Sequence, residues 1–162
     1  MVVKADFLIR RGLPGEFVSM AALAVRAWRV AARNIELSSE GQDALEAKFQ
    51  RDLHANKDCV LIAERAGIIA GWGARVPQSN YISDLWVDPR YHGQGIGRQL
   101  LDALMAQILL DGFDEAVIGT HADNLPALNL YKRAGFRIDW RGEEWSESIG
   151  RTVEKVRMCT KL

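Results

Sequence analysis

The residues from Leu85 to Arg98 read Leu-Trp-Val-Asp-Pro-Arg-Tyr-His-Gly-Gln-Gly-Ile-Gly-Arg, and they constrain the fold more than any other stretch of this chain. An apolar strand stops at Pro89, because proline cannot donate to a ladder. Gly93, Gly95 and Gly97 then carry a backbone without Cβ atoms into a helix that runs to Leu110. Ile96, Leu100, Leu101, Leu104, Ile108 and Leu109 recur on one face of it at steps of three and four. Glycines at a helix start leave free N–H groups, the positive end of the dipole and room for close approach, which together suit a phosphate. Two familiar phosphate loops do not fit. No Gly-Lys-Ser/Thr triplet follows, so this is not a Walker loop. A dinucleotide fingerprint would need glycine at Arg98 or at Leu100, and the acidic pair Asp114-Glu115 precedes the next strand instead of ending it.

A second stretch, Asn124 to Phe136, opens a helix with Asn124 or Asp123 as cap and Pro126 in its first turn, and ends it at Gly135. Asn124, Ala127 and Tyr131 stand at i, i+3 and i+7, on one helix face. The remaining pattern predicts a strand over 5–11 and a helix from Pro14 to Ala31. A second helix opens at Ser39-Glu-Gly-Gln42, which has capping-box spacing. A hairpin follows, 59–63 with 68–76, then strands over 81–87 and 115–120. After the Asn124 helix come a strand over 136–140, a polar loop over 141–151 and a last strand over 152–161. The order βααβββαβαββ places helices on both faces of one mixed sheet.

The V-x-P strand end with its x-x-G-x-G loop, and the pattern N-x-x-A-x-x-x-Y-x-x-x-G-F, resemble the Gcn5-related N-acetyltransferases. The motifs cover about residues 81 to 138, a third of the chain. The resemblance implies a single α/β (α+β) domain over 1–162, with a mixed, mostly antiparallel sheet of six to seven strands. It implies acetyl-coenzyme A as cosubstrate. The pyrophosphate would lie on His92, Gly93, Gln94, Gly95, Ile96, Gly97 and Arg98, with His92 standing where the family usually has Gln or Arg. The pantetheine arm would pair with the edge of Leu85, Trp86 and Val87. Asn124 and Ala127 would belong to the same site, and Tyr131 matches the tyrosine placed to protonate the leaving thiolate.

An amine acceptor with a pKa of about 10 must lose a proton before it can attack. Many relatives use a glutamate five residues before the Asn, which here is Gly119. Others use an acid near Tyr81 or Ser83, and neither is acidic. Asp84, His121 and a water wire to backbone carbonyls are left. Trp72 and Trp86, with Trp140 and Trp145 further on, are candidates to line an acceptor channel.

Lys+Arg and Asp+Glu both number 21, so the chain is neutral overall, which argues against nucleic-acid binding. No run of 18 apolar residues exists to span a membrane. The start shows no secretion signal, so the expected location is the cytoplasm. Cys59 and Cys159 sit in apolar runs and are expected as reduced core residues, with no metal site. The function expected is transfer of an acetyl group to a primary amine by direct attack in a ternary complex. A small-molecule acceptor is favoured over a protein N-terminus or lysine. The competing readings are a non-catalytic acyl-coenzyme A sensor and an unrelated nucleotide-binding α/β domain. The resemblance also leaves open a homodimer through the C-terminal strands.

Overall fold

The computed structural model describes residues 7 to 162, so the first residues of the expected opening strand lie outside it. The strands are β1 (Leu8–Arg11), β2 (Val60–Arg65), β3 (Ile68–Arg75), β4 (Tyr81–Val87), β5 (Glu115–His121), β6 (Arg137–Ser146) and β7 (Arg151–Lys161). The helices are α1 (Phe17–Ala31), α2 (Ser39–Ala55), α3 (Ile96–Leu110) and α4 (Leu125–Arg133). The seven strands form one sheet in the order β1-β2-β3-β4-β5-β7-β6. Every pairing is antiparallel except that of β4 with β5.

Strand alternation sorts the core into two layers. Val60, Ile62, Trp72 and Ala74 point toward α1 and α2 and meet Phe17, Met20, Trp28, Leu45, Phe49 and Leu53. Leu61, Ala63, Ala70, Ile82, Ala116 and Ile118 point to the other face, where α3 and α4 pack. On α3 the residues Ile96, Leu100, Leu101, Leu104 and Ile108 are buried, each stabilising by about 1.5–3 kcal/mol. That apolar stripe anchors the helix whose N-terminus carries the glycine loop. Among the described residues no helix is long and apolar enough to cross a membrane.

Some expectations need correction. Residues 141 to 146 are strand, not loop: β6 pairs with β7 as far as Ser146–Arg151, and only 147–150 turn. β6 is the sheet's last strand and nearly all its residues are exposed, so burial imposes no alternation for a pattern reading to find. The cap of α2 is Ser38, whose Oγ accepts from Gly41 N at 3.0 Å; Ser39 is already helical. Pro14 opens a short 3-10 turn ahead of α1 instead of α1 itself. Cys59 ends another such turn before β2, and both cysteines are free.

Candidate active site

The sheet is split between β4 and β5. These strands pair only at Tyr81–Val117 and Ile82–Ile118, although β4 continues to Val87 and β5 to His121. The far half of β4 therefore has an open edge. Asp88 N donates to Ala70 O at 2.8 Å, toward β3. Alternation along an antiparallel ladder then turns Trp86 to β3 as well, and turns the N–H and C=O of Leu85 and Val87 into the gap. This is the edge expected for the pantetheine arm.

At the end of that edge lies the glycine loop. Gly93 and Gly95 have φ of 75° and 81°, left-handed values that favour glycine, and a Cβ built on either would meet nothing within 4 Å. Gly95 is the N-cap of α3. The N–H of Gln99 bonds back to Gly95 O at 3.1 Å, so the donors before it are those a helix start leaves over. Three of the expected cofactor side chains have partners inside the protein. His92 Nε2 donates to Val87 O at 3.0 Å, Gln94 Oε1 accepts from Arg65 at 3.4 Å, and Arg98 bridges Asp102 and Arg133 O. Ile96 is buried and can offer only its backbone. The loop is braced from beneath by buried Asp88. Its carboxylate accepts from Arg90 and from Arg26 of α1, the latter at 2.9 Å, and these cations hold it well below the usual carboxylate range.

On the other side of the gap is a cleft of about 1350 Å³. Trp28, Ile35 and Phe49 line it from the α1–α2 side, and Trp140 and Trp145 line it from the β6–β7 hairpin. Trp86 lies in it, edge-on to Phe49 at 5.2 Å between ring centroids. Trp72 does not reach it: this side chain is fully buried, and its Nε1 donates to Met20 O at 2.8 Å.

Asp84 lies in the cleft wall and is 8 % exposed. Its Oδ1 accepts from Trp86 Nε1 at 3.1 Å. Burial pushes the carboxyl above its ordinary value of 3.8; the Trp86 bond opposes this, and Lys48 does so more weakly. The ammonium of Lys48 is itself bound to Asp52 at 2.7 Å. Tyr131, on α4, is buried beside Phe136. Burial raises the pKa of its phenol above the ordinary value, followed by Tyr81 and Asp84. His121 lines the same cleft from the β5 side. It is the last residue of β5, not a loop residue, and its Nε2 is 3.4 Å from Ser146 Oγ. Burial and then Lys155 lower its pKa, so the ring is neutral at neutral pH. Asn124 ties α4 to β5, accepting from Ala127 N of α4 and donating to Thr120 Oγ1 of β5. It orients the helix that carries Tyr131.

Residues 19–136 match the family model described as the acetyltransferase (GNAT) family. The chain belongs to the GNAT acetyltransferase family. Among curated family relatives, a mycothiol acetyltransferase of Clavibacter michiganensis is 45 % identical over 53 residues, 33 % of this chain and 17 % of that one. The N-alpha-acetyltransferase RimI of Mycobacterium tuberculosis is 33 % identical over 99 residues, 56 % of this chain and 60 % of that one. The chain thus spans less than two thirds of these relatives' length. A PaiA N-acetyltransferase of Thermoplasma acidophilum, solved in complex with coenzyme A, shares the fold with a TM-score of 0.76 at 17 % identity. That match covers 98 % of this chain and 100 % of the other.

Proposed function

We propose that this protein is an acetyl-coenzyme A-dependent N-acetyltransferase acting on the primary amine of a small molecule. One observation carries the reading: an open strand edge at Leu85 and Val87 lies between a left-handed glycine loop and an acid-walled cleft. The donor fits that track. The backbone donors of residues 93 to 98 would hold the pyrophosphate. The amide-bearing pantetheine arm would pair with the β4 edge as an added strand, exchanging with His92 at the Val87 carbonyl. Family membership and the coenzyme A held by the structural neighbour support the same donor.

The cosubstrate supplies an activated acetyl thioester. The Leu85 N–H faces the gap and would donate to the carbonyl oxygen as charge builds there. Asp84 would receive the ammonium of the acceptor, and its raised pKa brings it toward working pH as a proton acceptor. The amine then forms the C–N bond as the C–S bond breaks. Tyr131 would meet the leaving sulfur and give it a proton. With a phenol at about 10 and a thiol at about 8.5, giving up its proton costs about 2 kcal/mol, and burial adds to that cost. The proton leaving the new amide nitrogen restores the phenol. Aromatic walls on both sides of the cleft suit a small amine with an apolar body better than an extended peptide.

Tyr131→Phe is the test of the leaving-group assignment. Turnover should fall by about 10- to 10²-fold, with acetyl-coenzyme A affinity unchanged by calorimetry. Equal loss of turnover and affinity would make Tyr131 a binding or packing residue.

A further inference from the structure

The position on β5 that family resemblance reserves for a base holds Gly119, and the space a side chain would take there is not empty. A Cβ built on Gly119 would stand 3.3 Å from the hydroxyl oxygen of Tyr81, on the neighbouring parallel strand. A β-bulge brings that hydroxyl to the right side of the sheet. Ala74 faces Asp84 while Arg75 faces Ile82, so Ser83 is an extra residue in β4. Ser83 Oγ holds the bulge, donating to Ala74 O and accepting from Asn56 Nδ2, each at 3.3 Å. In a regular strand residues 81 and 84 would point to opposite faces. Here Ile82 joins Leu85 and Val87 in the layer beneath α3, while Tyr81, Asp84 and Trp86 all line the cleft.

We infer that Tyr81 is a further catalytic residue, whose hydroxyl relays the first proton of the acceptor ammonium to Asp84. The inference rests on the acetyltransferase reading above. The proton balance is simple. The ammonium gives one proton to the Tyr81 oxygen as the phenol passes its own, through one water in the cleft, to the Asp84 carboxylate, and solvent later clears it. The neutral amine attacks the acetyl carbon. The second nitrogen proton restores Tyr131 after that phenol has protonated the sulfur. A phenol suits a relay because it both donates and accepts. Burial raises the Tyr81 pKa above its ordinary value, followed by the charges of Asp84 and Glu144, so the group enters each cycle neutral. In this arrangement Gly119 is the partner that makes room for the relay.

The experiment compares the wild type with Tyr81→Phe, Tyr81→Ala, and Tyr81→Ala combined with Gly119→Glu. Each is assayed for thiol release from acetyl-coenzyme A with the best amine acceptor. Tyr81→Phe keeps the ring that fills the space and removes only the hydroxyl. It should lower kcat by about 10- to 10²-fold, leave the amine KM nearly unchanged, and leave both thermal midpoint and acetyl-coenzyme A affinity as they were. The combined variant should recover activity over Tyr81→Ala, because a carboxylate then stands where the hydroxyl was. Wild-type kcat in Tyr81→Phe overturns the relay alone. A combined variant that is folded, binds acetyl-coenzyme A and is no faster than Tyr81→Ala overturns it as well. A wild type silent with every amine overturns the acetyltransferase reading, and the relay falls with it.

Discussion

Asp84→Asn is expected to lower acetyl transfer by about 10²- to 10⁴-fold, the range a positioned general base contributes, without destabilising the protein at neutral pH. The two halves have one cause. The carboxyl is buried against the Trp86 indole with no cation in contact among the described residues, and its folded-state pKa lies above the ordinary 3.8. A folded carboxyl that holds its proton more tightly than the unfolded one withdraws stability as pH rises above the unfolded value. The deficit grows through the window up to the raised folded pKa and is complete above it. Asparagine keeps an oxygen for the Trp86 N–H and has no charge to bury. The variant should therefore melt as high as the wild type or higher at pH 7, and lose that advantage below about pH 3.8, where both chains are neutral at this site. Thermal scans across pH, read beside turnover, check both halves. A variant that stays active, or that is inactive and melts well below the wild type at pH 7, would remove Asp84 from the chemistry.

Gly95→Val should abolish acetyl-coenzyme A binding while the chain stays folded. Gly95 has φ of 81°, and a β-branched residue there costs about 1–3 kcal/mol of backbone strain. The space beside Gly95 is open, so nothing in the core must move to admit the side chain. The α3 stripe keeps its burial, and the helix persists. The cost falls on the loop: the backbone departs from left-handed geometry, its N–H groups turn away, and isopropyl bulk fills the ligand's side. Calorimetry should show no acetyl-coenzyme A binding at concentrations that saturate the wild type, with an unchanged circular dichroism spectrum. Unchanged affinity would end the assignment of this loop to the pyrophosphate.

The glycine loop, the α4 motif and the order of elements were legible because each rests on local chemistry: proline stops, positive-φ glycines, one cap, one apolar stripe. Tyr131, the β4 edge and Asp84 follow from those motifs. What was not legible is non-local. Trp72 shares a sheet face with Trp86, its partner on β4, and is shut off from the cleft only because α1 and α2 cover it. The strand over 141–146 carries no alternation because almost nothing packs on it. His121 falls outside the strand expected over 115–120 because β5 runs one residue further than its apolar stretch, paired at Lys155. Tyr81 was passed over because its meaning depends on Gly119 across a parallel ladder and on a bulge two residues away. The one sequence trace of it was the glycine itself, standing where an acid was expected.

The measurement that tests the central claim most directly is thiol release from acetyl-coenzyme A against a panel of aryl and alkyl amines, amino acids, polyamines and short peptides. Mass spectrometry of each acceptor is run alongside. The account predicts release that depends on a primary amine, an acceptor heavier by one acetyl group, and small apolar amines turned over faster than peptides. Saturable acetyl-coenzyme A binding by calorimetry with no release for any amine would contradict it and make the protein an acyl-coenzyme A sensor.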